Sequence, residues 1–169
     1  MFRRLPCPAW FIFALCALAG AQERSISGEY RNYAEGFAVK IPSGLHGVTG
    51  DQSGPERGLR IPLPSGSSLS VFGEPNSAEY KTAEQGIKDS LSQCCDSGRP
   101  VVSAAIVGKV NGAKGRVVCG ERVIVRMLAF RPGGGPIYWL TLQTTIAHAA
   151  MDESALEAVA SGFRVIAWR

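Results

Sequence analysis

The sequence predicts an α+β domain, a mainly antiparallel β-sheet sandwiched between helices in an α/β/α arrangement. Three observations predict it. Hairpin signals dominate the chain, with apolar alternation broken repeatedly by Gly, Pro, Asn and Ser. Only two segments carry a helical stripe. Several strands are apolar on both faces, as in a sheet covered on both sides.

The first element is an export leader. Arg3 and Arg4 precede an uncharged apolar run from Ala9 to Ala19, and Ala19-Gly20-Ala21 forms a small-x-small cleavage site. The run is too short to cross roughly 30 Å of hydrocarbon as a helix, so cleavage is expected rather than anchoring. Leu15 before Cys16 does not suit a lipoprotein site. The expected cut falls between Ala21 and Gln22, which leaves 148 of the 169 residues as one domain, 22–169. A chain of that length buries about 68–70% of its unfolded surface, enough for its own core.

Cleavage also changes the charge. The whole chain carries 18 Lys+Arg against 14 Asp+Glu, a formal +4. The leader takes two Arg and no acid, leaving +2. After Arg4 no two basic residues are adjacent, so neither a nucleic-acid footprint nor a polybasic membrane patch is present. Cys94, Cys95 and Cys119 remain, an odd number for an oxidising compartment. Neighbouring cysteines seldom bridge each other, because their Cα atoms lie too close. The expected disulfide therefore joins Cys95 to Cys119, or Cys94 to Cys119, and would add about 3 kcal/mol.

Phe37, Val39 and Ile41 alternate and predict a strand over 36–42, stopped by Pro42-Ser43-Gly44. Residues 47–58 read as a loop. Leu59, Ile61 and Leu63 predict a second strand. Pro62 places it at a sheet edge, since proline cannot donate to a ladder. Pro64 to Ser67 is a hairpin turn leading into a third strand over 69–72. Tyr80, Ile87, Leu91 and Cys94 then fall on one helical stripe, which predicts a helix over 78–94. Gly86 weakens that helix by about 1 kcal/mol relative to Ala. The stripe makes Cys94 the core thiol and Cys95 the more exposed one.

Val101 to Val110 predicts a strand, with Asn111-Gly112 as its hairpin turn. Arg116 to Cys119 follows, and Gly120-Glu121 is a break. In the next strand Val123, Val125, Met127 and Ala129 share one face, and Ile124, Leu128 and Phe130 the other. Residues 132–136 form a loop, and 137–146 the last long strand. Asp152 or Ser154 caps a closing helix with Leu156, Val159 and Ala160 on one face. Gly162 ends it before a strand over 163–168.

Catalytic signatures are sparse. Gly50-Asp51-Gln52-Ser53-Gly54-Pro55 partly resembles the nucleophile segment of trypsin-like proteases, but it carries an extra residue and lacks the second Gly. The sole preceding histidine, His46, is adjacent in sequence rather than on a distant strand. No Gly-x-Ser-x-Gly elbow and no Ser-x-x-Lys occurs. His46 and His148 have no His or Cys at metal-ligand spacing, so no metal site and no cofactor are expected. Cys95 as a reactive thiol would sit at a helix C-terminus, where the dipole disfavours thiolate. Asp152-Glu153 reads as helix-start chemistry, and Gly133-Gly134-Gly135 lies between strands and is not a phosphate loop. His46, Tyr138 and Trp139 are the surface-recognition candidates, although strand aromatics usually pack.

Tyr30 to Gly44, Arg60-Ile61-Pro62-Leu63, the hairpin strands around Asn111-Gly112, Ile137-Tyr138-Trp139-Leu140 and Leu156 to Ile166 together resemble the PsbP-like fold family. That family is named for an extrinsic photosystem subunit. It also includes a Ran-binding nuclear-transport factor and bacterial exported proteins. The resemblance implies an antiparallel sheet sandwiched by helices and a non-catalytic binding or assembly role. No photosystem- or Ran-binding motif carries over. The expected function is an exported accessory protein that binds a protein or small ligand in the envelope or outside the cell. Stable membrane insertion and nucleic-acid binding are not expected. A secreted enzyme with a thiol or carboxylate site, and an immunity or inhibitor protein, are the alternatives.

Overall fold

The computed structural model describes residues 24–49, 58–95 and 98–167. The leader with its Ala21–Gln22 cleavage site, the protease-like segment from Gly50 to Pro55, and Trp168 lie outside the described residues. An eight-stranded antiparallel sheet is built from β1 (Arg24–Ile26), β4 (Gly47–Thr49), β5 (Gly58–Pro62), β6 (Ser68–Pro75), β10 (Pro136–Thr145), β9 (Arg122–Phe130), β8 (Val110–Cys119) and β7 (Val101–Val107), in that spatial order. A second sheet of three strands orders β11 (Phe163–Val165), β3 (Phe37–Lys40) and β2 (Glu29–Asn32). Two helices complete the fold, α1 (Ala83–Ser92) and α2 (Ala149–Ser161). The mainly antiparallel α+β expectation holds, but the strands divide between two sheets rather than forming one.

The alternation of β9 sorts the core. Val123, Val125, Met127 and Ala129 belong to a cluster with Leu156, Val159 and Ala160 of α2 and with Phe37, Val39 and Phe163 of the small sheet. Ile124 and Leu128 belong to a second cluster with Ile87 and Leu91 of α1. Burying a side chain of this size stabilises by about 1.5–3 kcal/mol. Tyr138 ties the small sheet to the large one. Its ring lies 5.8 Å from Phe37 and 5.2 Å from Phe163. Its hydroxyl is 3.1 Å from the Glu35 carbonyl and accepts from Arg131 Nη1 at 2.9 Å. Arg131 also donates to the carbonyls of Gly36 and Ile166. Burial pushes the Tyr138 phenol above its ordinary value.

Several local expectations are corrected. Gly47–Thr49, read as part of a loop, is a strand pairing with β1 and β5. The β5 strand is not an edge. It lies between β4 and β6, yet its register with β4 consists of Val48 opposite Arg60, so Pro62 meets only Ser68 of β6. Its missing N–H therefore costs no ladder bond.

The α1 helix begins at Ala83 rather than near 78. Thr82 caps it by accepting from the Gln85 N–H at 3.1 Å. Glu79 sits at φ 53, which no helix can continue through. Gly86, counted as a weakness, is a contact point. A Cβ there would strike Leu128, so glycine lets α1 sit close on β9.

The hairpin turn of β7 and β8 is Gly108-Lys109, not Asn111-Gly112. Val107 pairs with Val110, and Asn111 and Gly112 lie within β8. Gly108 takes φ 62, while Gly112 is needed in the strand because a Cβ would strike the Leu128 carbonyl.

The α2 helix begins at Ala149, with His148 as a cap that makes no side-chain capping bond. Asp152 is one turn inside and almost fully buried. Ser65 Oγ and Thr144 Oγ1 both donate to its Oδ2, at 2.8 and 2.6 Å, and Ser67 Oγ donates on to Thr144 at 3.0 Å. This network docks α2 on the β5–β6 turn and β10. Asp152→Ala would leave buried hydroxyls without an acceptor and is expected to lower unfolding free energy by about 2–3 kcal/mol. An unshifted urea midpoint in that variant would show that the network is dispensable.

Candidate functional site

On the side of the large sheet where α1 packs, the helix covers β8 and β9. The neighbouring β10 and β6 strands carry polar side chains on that face, and a groove of about 340 Å³ opens there. Its floor follows from register. Ser70 and Phe72 of β6 pair with Thr141 and Trp139 of β10, and Arg126 of β9 pairs with Thr141 from the other side. These residues share one face because side chains alternate along a strand. Gln143 and Glu74 extend the floor in opposite directions. Ser90 of α1, its C-cap Gln93 and Tyr80 before it form the wall.

The wall is held rigidly. Asn76 brackets Tyr80, accepting from its N–H at 3.0 Å and donating to its carbonyl at 2.9 Å. Between them Glu79 keeps its left-handed backbone, a conformation that costs about 1 kcal/mol for a non-glycine residue. Trp139 is 5% exposed, and its indole N–H donates to Glu74 Oε1 at 2.7 Å. Arg126 donates from Nη1 to the Ser90 carbonyl at 3.2 Å, near the C-terminal end of α1. Its Nε is buried and has no hydrogen-bond partner. Among the described residues no carboxylate forms an ion pair with this guanidinium.

Of the surface-recognition candidates, Tyr138 is corrected. It points away from the groove into the core and has no exposed surface. Trp139, one residue on, faces the groove but lies in its floor. His46 is exposed between β3 and β4 and lines no part of the groove. Arg126 escaped attention in the sequence. Its signal was present, a charge at the centre of the otherwise apolar face of Ile124, Leu128 and Phe130.

The cysteines resolve the open pairing. Cys95 and Cys119 form the disulfide, with Cα atoms 5.8 Å apart, and it ties the chain after α1 to the end of β8. Cys94 is a thiol, donating to the Ser90 carbonyl at 3.2 Å. Both Cys94 and Cys95 are half-buried, so the expected contrast in their exposure is not seen. The described residues contain no group of three or more His, Cys, Asp or Glu placed to hold a metal ion. Among them no helix is long and apolar enough to cross a membrane.

The two sheets with two helices have the fold of a PsbP-like α+β domain. Among solved structures, it is similar to the solution structure of cyanobacterial PsbP (CyanoP) from Synechocystis sp. PCC 6803. The two share 17% sequence identity with a TM-score of 0.53, over 88% of this chain and 95% of that one. At that identity the likeness defines the fold and nothing finer. No family model matches the chain, and no curated protein matches it.

Proposed function

We propose that this chain is an exported, non-catalytic binding or accessory domain, and that the groove beside α1 receives its ligand. In this reading residues 1–21 are removed after Ala21, and residues 22–169 act as one domain in the periplasm or outside the cell. The large sheet is held between α1 on one face and α2 with the small sheet on the other.

The observation that carries the reading is Arg126, a guanidinium that lines a polar groove and, among the described residues, has no carboxylate partner. Guanidinium N–H groups make charge-assisted hydrogen bonds to anionic acceptors, which suits this side chain to holding a ligand. Support comes from the PsbP-like resemblance, which implies an accessory role, and from the Cys95–Cys119 pair, which suits an oxidising compartment.

Native mass spectrometry of the protein recovered from the cell envelope is expected to show a chain beginning at Gln22 with a small molecule bound. Thr141→Trp, which fills the groove floor, should release that molecule. A chain that still begins at Met1 would overturn export. Binding that survives Thr141→Trp would overturn the groove as the site.

A further inference from the structure

We propose that the groove binds a small sugar acid, a polyhydroxylated ring bearing one carboxylate, with Arg126 as the anchor for the acid group. This deepens the reading of the groove as a ligand site and rests on it.

The groove is chemically polarised. Arg126 pairs in register with Thr141, and Glu74 with Ile137, four residues away along β10 and on the strand beyond it. Glu74 therefore marks one end, and Arg126 sits one step short of Gln143 at the other. An inorganic anion would satisfy only the Arg126 end. Glu74 already accepts from the Trp139 indole, and a carboxylate there accepts further donors but no acid. The ligand must then present acceptors at one end and hydroxyl donors at the other.

Ser70 and Thr141 share the Arg126 row of the floor, Gln143 lies just beyond it, and Ser90 and Gln93 line the helix side. Hydroxyls and primary amides both give and receive hydrogen bonds, which suits neighbouring hydroxyls on a ring better than an apolar body. Phe72 and Tyr80 supply flat apolar surface for the C–H face of such a ring. The volume of about 340 Å³ lies at the low end of the roughly 300–1,000 Å³ usual for small-ligand sites, which suits one ring. Backbone strain at Glu79, held by the Asn76 bracket, places Tyr80 at the rim. Stored strain of this kind gathers at ligand sites.

The test is amide and indole NMR of the purified protein with four probes: sodium galacturonate, galactose, sodium lactate and digalacturonate. Galacturonate is expected to shift the Trp139 indole and the Thr141 amide. It should bind at least about tenfold more tightly than galactose or lactate, since one charge-assisted pair is worth that much. Arg126→Gln should erase this tenfold preference, and Arg126→Lys should restore part of it.

Tighter binding of digalacturonate assigns the end of an acidic glycan as the source. Equal or weaker binding assigns the free sugar acid. If galactose binds as well as galacturonate, the acid group is overturned while the ligand groove stands. If lactate binds as well, the sugar ring is overturned. If Arg126→Gln leaves the preference intact, Arg126 only holds the α1 carbonyl and the anchor is overturned. A groove silent to every probe overturns the sugar acid, and the native mass spectrometry above separately decides whether the groove binds anything.

Discussion

Gly108→Ala is expected to destabilise the protein by about 3 kcal/mol, whereas Gly120→Ala should cost only about 1 kcal/mol. The two glycines open the hairpins on either side of β8, and both take φ 62. An alanine therefore meets the same left-handed backbone penalty at each. Their surroundings differ. A Cβ at Gly120 has nothing within 4 Å. A Cβ at Gly108 would overlap the Phe163 carbonyl, a backbone group that cannot swing aside.

Gly108 also donates its N–H to the Ala160 carbonyl at 2.7 Å, so the β7–β8 turn is seated on the end of α2 and the start of β11. Alanine must either break that bond or push the small sheet away from the core it completes around Phe163. Urea unfolding of the two variants separates the shared backbone cost from the packing cost. Equal losses would show that the turn is not docked as described. A Gly108 variant with a lower m-value as well as a lower midpoint would report a partly opened native state.

Regular alternation survived the passage from sequence to structure, and punctuation survived only where its chemistry was local. The two faces of β9 were legible because seven of the eight residues from Val123 to Phe130 report the same period, and burial followed that period. The Pro64–Ser67 turn was legible because its chemistry is local, with Gly66 at φ 85 between paired strands. Asn111-Gly112 misled because it is a strong turn signal in isolation. The choice between it and Gly108-Lys109 depends on Leu128 and Phe163, which lie far along the chain.

The short β1 and β2 strands carry little apolar alternation, since their stability comes from pairing with β4 and β3. Membership of two sheets was likewise a matter of non-local pairing. For the groove, the sequence showed a charge on an apolar face at Arg126. It did not show that α1 stops short of β10 and β6, and that boundary creates the opening.

Cys119→Ser is expected to lower unfolding free energy by about 3 kcal/mol, the loop-closure entropy of the 24-residue separation between Cys95 and Cys119. Cys95→Ser should lose the same amount, and the double variant no more, because one covalent link is removed in each case. Cys94→Ser should cost less than about 1 kcal/mol. The Cys94 side chain makes one bond to the Ser90 carbonyl, which a serine hydroxyl can also make.

Adding reductant to the wild type should bring it to the stability of Cys119→Ser, and thiol titration of the native oxidised protein should then find Cys94 among the described cysteines. A large loss in Cys94→Ser with none in Cys95→Ser would assign the bridge to the wrong neighbour. The link also bears on the groove. It fastens the segment after Gln93, the C-cap of α1 and last wall residue, to the end of β8, so reduction should loosen that wall as it lowers stability. A chain held by this bond gains its full stability, and a fixed groove wall, only where thiols are oxidised.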